Sequence, residues 1–180
     1  MTEADLRRAL VIEYVTIAWV AVEAAAGLVS GTVAGSIALI GFGLDSVIEL
    51  FAAAVVVGQL RGASDQRERR ALRLIAVTFF LLAAYVLAEA ARHLLVRAEP
   101  EQSLLGIAIT AAALVVMPLL AWGKRRIGQR IGSATLLADA TESAYCAFLA
   151  AAALIGLLLN ATLGWWWADP LAGIIITSSP

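Results

Sequence analysis

Long apolar stretches, separated by short polar connectors rich in arginine, dominate the pattern of this chain. Uncharged runs extend from Ala24 to Leu44, from Gln102 to Gly123 and from Ser143 to Ala168. A helix that crosses a bilayer needs about 20 mostly apolar residues. Taken with their neighbours, these runs predict six membrane-spanning helices at about residues 9–29, 36–60, 71–95, 103–123, 134–160 and 165–178, in a single transmembrane domain covering residues 1–180. The last span is expected to be short or truncated. From Trp165 to Pro180 there are 16 residues, about 24 Å of helix against a hydrocarbon core of roughly 30 Å. The polar segments RGASDQRERR and KRRIGQR read as connectors, with no soluble domain between spans. Trp165, Trp166 and Trp167 fit an aromatic belt at the outer interface. Pro118 falls inside the fourth span, where it kinks a helix or is accommodated by its neighbours.

Composition agrees with this pattern. The chain is 62% hydrophobic and 15% charged, with a mean hydropathy of +0.89, far too apolar for a soluble globular domain. The expected class is an all-α integral membrane protein. Basic residues collect on the cytoplasmic side of such proteins. Arg7 and Arg8 precede the first span, Arg61, Arg67, Arg69, Arg70 and Arg73 follow the second, and Lys124, Arg125, Arg126 and Arg130 follow the fourth. Only Arg92 and Arg97 fall on the other side, so both termini are expected in the cytoplasm. A net charge of −1 argues against a nucleic-acid partner. The acidic start MTEADLRRAL, leading to Glu13 and Glu23, does not resemble a cleavable signal. Arginine outnumbers lysine twelve to one, which points to a GC-rich bacterial genome and hence to a bacterial cytoplasmic membrane.

Against this apolar background, two segments carry metal-ligand side chains at matching places. GSIALIGFGLDSVIE begins at Gly35 and GSATLLADATESAYC at Gly132. Laid over each other, they pair Gly35 with Gly132, Ser36 with Ser133, Leu39 with Leu136, Ser46 with Ser143, Asp45 with Glu142 and Glu49 with Cys146. An ionisable group at mid-membrane costs roughly 2.5–3.5 kcal/mol even on the lenient insertion scale, so it persists only with a partner or an ion. Residues four apart share a helix face. Asp45 with Glu49, and Glu142 with Cys146, would therefore present four ligands to one cation between the second and fifth spans. Those spans run in opposite directions, which is the arrangement of a 3+3 inverted repeat with its site near the midplane. Gly35, Gly41 and Gly43, with Ala138, Ala140, Ser143 and Ala144, fit a close contact between the two spans or general membrane packing.

At these segments the chain resembles the cation diffusion facilitator (cation efflux) family, in a short form lacking that family's cytoplasmic C-terminal domain. The family's second helix carries a serine and small residues before DxxxD, as Asp45 and Glu49 do here, and its fifth carries HxxxD or DxxxD, answered here by Glu142 and Cys146. WWWADPLAGI, from Trp165, also looks like that family's sixth helix. The departures are Glu and Cys in the second pair, the missing cytoplasmic domain and the short sixth helix. The resemblance implies efflux of a divalent transition-metal cation, a homodimer, and metal ligation by Asp45, Glu49, Glu142 and Cys146.

Zinc is the expected cargo, because a thiolate favours zinc-like and softer ions over magnesium or calcium. Exchange with protons by alternating access is the expected mechanism, with lipid, protons and the metal as partners and no cofactor. Cys146, as the single cysteine, forms no intramolecular disulfide and is either a ligand or a small buried hydrophobe. Asp139 shares the face of Glu142 and is either a secondary ligand on the access path or the partner of a basic residue. Glu13 and Glu23 are further candidates for ion or proton paths. Glu89 has a structural alternative in Arg92 or His93 one turn on, and His93 reads as an interfacial group. Two other functions are weighed against transport. One is a membrane metal-binding or partner-binding protein that transports nothing. The other, remote, is an intramembrane aspartyl protease, in which the aspartate would follow G-x-G directly, whereas Leu44 intervenes in GFGLD. The expectation is a transporter and not an enzyme.

Overall fold

In a computed structural model, which describes residues 2–62 and 65–178, the chain folds into α-helices, with no strand among the described residues. The helices are α1 (Glu3–Ala34), α2 (Ile37–Leu60), α3 (Asp65–Val96), α4 (Leu104–Ile131), α5 (Ala134–Leu163) and α6 (Ala168–Ser178). Hydrocarbon offers no water to backbone amides, so an apolar chain satisfies them within helices. Stretches within α1 to α5 are long and apolar enough to cross a membrane, and the chain is a multi-pass membrane protein. In α6 there are 11 described residues, about 16 Å of helix. It starts later than predicted because Trp165–Trp167 form the turn before it, with the rings of Trp165 and Trp167 stacked at 4.9 Å.

Two of the predicted connectors are largely helical. RGASDQRERR passes into α3 at Asp65, and KRRIGQR continues α4 as far as Ile131. Arginine and glutamine are good helix formers, so polarity ends the apolar span without ending the helix. The side chains of Arg67, Arg69 and Arg70 lie outside the described residues.

The matched segments begin with the same turn. Gly35 closes α1 and Gly132 closes α4 in the left-handed conformation, at φ of 65° and 66°, which an L side chain adopts only with strain. Ser36 and Ser133 then cap the next helices, their hydroxyls accepting from the amides of Leu39 at 3.1 Å and Leu136 at 3.2 Å. Leu39 and Leu136 are both fully buried. Three of the four identities between the segments are thus turn chemistry, and they make α1–α2 and α4–α5 equivalent helical hairpins.

The buried face of α1 comprises Ala9, Glu13, Thr16, Val20, Glu23, Gly27, Ser30 and Ala34, spaced alternately by four and three residues, together with Ala24 and Gly31. This seam lets α1 pack along its neighbours, and it carries Glu13 and Glu23 inward. The glycines of α2 differ from expectation. A Cβ on Gly43 would lie 2.7 Å from the Leu28 amide nitrogen, and one on Gly27 would lie 3.0 Å from the Gly43 Cα. Gly41 instead faces Val86 and Ile176, and Gly35 caps α1. The close backbone approach that glycine permits is therefore between α1 and α2, not between α2 and α5.

Candidate metal centre

Asp45 and Glu49 stand one turn apart on α2 and are both buried, at 6% and 1% exposure. Cys146 of α5 is also buried and lies beside both carboxyls. One ligand atom each from Glu23, Glu49 and Cys146 lies within 4.8 Å of the other two. Three helices thus converge on one point: α1 supplies Glu23, α2 supplies Glu49 and α5 supplies Cys146. Asp45 and Glu142 flank this trio, and Glu142 is half-buried within the field of both α2 acids.

Hydrogen bonding leaves selected oxygens open. The Trp19 indole donates to Glu23 Oε1, and the Ser143 hydroxyl donates to Glu49 Oε1 at 2.8 Å. Glu23 Oε2, Glu49 Oε2 and Glu142 Oε1 are buried and have no hydrogen-bond partner. A buried polar atom with no partner costs about 1–3 kcal/mol, more if charged, and several of them around one point are best relieved by a cation or by protons. Carboxylate oxygens and one cysteine sulfur are the donor types that could hold a divalent cation. Serine and tryptophan are the groups that fix how the carboxylates are presented.

A second buried charge cluster adjoins the first. Lys124 has no exposed surface, and its ammonium donates to Asp139 and to the Ser143 hydroxyl, with Glu13 Oε1 at 3.9 Å. Lys124 is therefore not one of the cytoplasmic flanking charges that the sequence pattern made it. It lies inside the bundle because Glu13 and Asp139 are there to neutralise it. Asp139 is ion-paired with it. Arg125, Arg126 and Arg130 remain exposed, and Arg126 lies 5.3 Å over the Trp122 ring.

Glu89 and Asp169 have hydrogen-bond partners of their own. Arg92 Nε donates to Glu89 Oε2 at 2.7 Å, with His93 Nε2 at 3.9 Å from the same oxygen. Asp169 accepts from the Ser36 hydroxyl and from the Ile37 amide at 2.9 Å, which ties α6 to the start of α2. The sequence pattern singled out the acids of α2 and α5 but ranked Glu23 below them. The signal that finds Glu23 is its place on the alternating seam of α1.

Membrane-spanning helices wrapped around buried carboxylates and a thiol define a multi-pass membrane protein with a candidate cation centre. The cation efflux transmembrane domain family matches residues 73–178, more than half of the chain. The chain belongs to the cation efflux family and is a cation efflux transporter. The matched region contains Asp139, Glu142 and Cys146 and begins after α2, so Glu23, Asp45 and Glu49 join the centre through geometry alone. No curated protein matches the chain closely enough to be named as a relative.

Proposed function

We propose that the chain exports a divalent transition-metal ion, zinc foremost, in exchange for protons. The ion is held by Glu23, Glu49 and Cys146, with Asp45 and Glu142 completing its shell or passing it along. The observation that carries this reading is the convergence of three ligand atoms within 4.8 Å from three helices, with buried carboxylate oxygens left unpartnered around them. Two like charges packed together bind either protons or a metal ion strongly, and that competition is the basis of exchange. Glu23 and Glu49 belong to the hairpin α1–α2, and Glu142 and Cys146 to α4–α5. Rocking of one hairpin against the other, as in inverted-repeat carriers, opens the shared site first to one side and then to the other. Both termini lie in the cytoplasm, the membrane is a bacterial cytoplasmic one, and the working unit is a homodimer.

Zinc flux into proteoliposomes with an imposed pH gradient tests the proposal. Wild-type protein is expected to move zinc in response to the gradient, and Asp45→Asn to slow it severely. Flux unaltered by Asp45→Asn would remove that residue from the site. Stoichiometric zinc binding without any flux would favour a non-transporting metal-binding protein.

A further inference from the structure

The single lysine of the chain connects the buried ion pair to the metal centre. A lysine ammonium offers three hydrogen-bond donors and no acceptor. Lys124 Nζ spends one donor on Asp139 and another on Ser143 Oγ, at 3.0 Å. The Ser143 hydroxyl has one hydrogen, and because Lys124 can only donate to it, that hydrogen is directed elsewhere. It goes to Glu49 Oε1 at 2.8 Å. Glu49 Oε1 is thereby committed, and Glu49 Oε2, buried and without a hydrogen-bond partner, is left for the ion.

We propose that Lys124 is a positioning residue of the metal centre: through the Ser143 hydroxyl it selects which oxygen of Glu49 faces the ion and holds the carboxylate in that orientation. The proposal rests on reading the site as a metal centre. It deepens that reading, because groups that orient a ligand are worth about 10–100-fold in metal affinity without touching the metal. Charge alone predicts the opposite sign, since a positive group near a cation site weakens binding. The position of Lys124 between Asp139 and Glu13 offsets that repulsion and leaves orientation as its contribution.

Removing Lys124 alone would strand Asp139, to which its ammonium is hydrogen-bonded, as a buried charge and endanger folding. The informative variants are Ser143→Ala, which leaves the ion pair intact, and Lys124→Gln combined with Asp139→Asn. The paired change keeps net charge constant and installs an amide that both donates and accepts, so the serine hydrogen is no longer steered. Zinc affinity of the purified full chain is measured by competition with a chelating dye, and transport in proteoliposomes. Each variant is expected to weaken zinc binding about tenfold, with half-saturation of transport rising in step and saturated flux within about twofold of wild type. Combining all three changes should weaken binding no further than either variant alone, because they break one chain of contacts. Unchanged affinity in either variant, tighter binding in the paired variant, or losses that multiply to about a hundredfold would overturn the role of Lys124 while leaving the metal centre standing. A wild-type protein that binds no zinc would remove the metal centre itself, and this role with it.

Discussion

Replacing Glu23 by glutamine separates the stability of the ion-free protein from its affinity for metal, because the two should move in opposite directions. The ligand atoms of Glu23 and Glu49 lie within 4.8 Å of each other, where two full negative charges repel by about 3.5 kcal/mol at an effective dielectric constant near 20. At alkaline pH, where both carboxyls have lost their protons, neutralising one removes that repulsion, so the metal-free variant should there unfold at a higher temperature than wild type. A divalent ion among the three ligands sits nearer to Glu23 than Glu49 does and carries twice the charge. The attraction lost is therefore at least as large as the repulsion removed, a weakening of about a hundredfold or more. Ligand-induced stabilisation follows directly: zinc at 100 times the wild-type dissociation constant adds about 2.7 kcal/mol to the wild type but only about 0.4 kcal/mol to a variant binding a hundredfold more weakly. Thermal unfolding in detergent, with and without zinc, reads both quantities in one experiment. A Glu23→Gln protein that keeps the full zinc-dependent shift would refute ligation from α1.

Cys146→Ser should weaken the handling of zinc and cadmium more than that of manganese, because only the softer ions gain from a thiolate. Equal loss for all three metals, measured as competing flux in proteoliposomes, would contradict ligation by sulfur. Gly43→Ala places a Cβ 2.7 Å from the Leu28 amide nitrogen, and backbone cannot yield as a side chain does, so a loss of about 1–3 kcal/mol in stability is expected. Zinc affinity should fall alongside as α1 is pushed from α2 and Glu23 from Glu49. The control is Gly41→Ala, whose Cβ would meet Val86 at an ordinary 3.5 Å and should leave unfolding unchanged.

The acids of α2 and α5 were legible in the sequence because a charge in an apolar run stands out and the four-residue spacing gives it a face. The turn at Gly35 and Ser36, repeated at Gly132 and Ser133, was legible as identity, although its meaning as a helix end and a helix cap emerged only from backbone geometry. Lys124 was not legible. It precedes Arg125 and Arg126 in a run that reads as cytoplasmic flank, and only the inward placement of Glu13 and Asp139 turns it into the bundle. Glu23 was half-legible: with no acid one turn away it forms no local pattern, and its partners, Glu49 and Cys146, are distant in the chain. Helix ends lie beyond the apolar spans where arginine-rich connectors continue the helix, since hydropathy marks the membrane and not the hydrogen-bond ladder. Glycine positions were found, but not which helix each one admits, because that depends on packing between elements.

That carboxylates from α1 and α2 and the thiol of α5 hold one ion together is tested most directly by X-ray absorption at the zinc edge of the loaded, purified protein. The predicted shell has one sulfur at about 2.3 Å and the remaining ligands as oxygen at about 2.0–2.2 Å. Cys146→Ser should abolish the sulfur contribution, and Glu49→Gln should lower the zinc content. A wild-type shell without sulfur, or one unaltered by both substitutions, would contradict the shared centre.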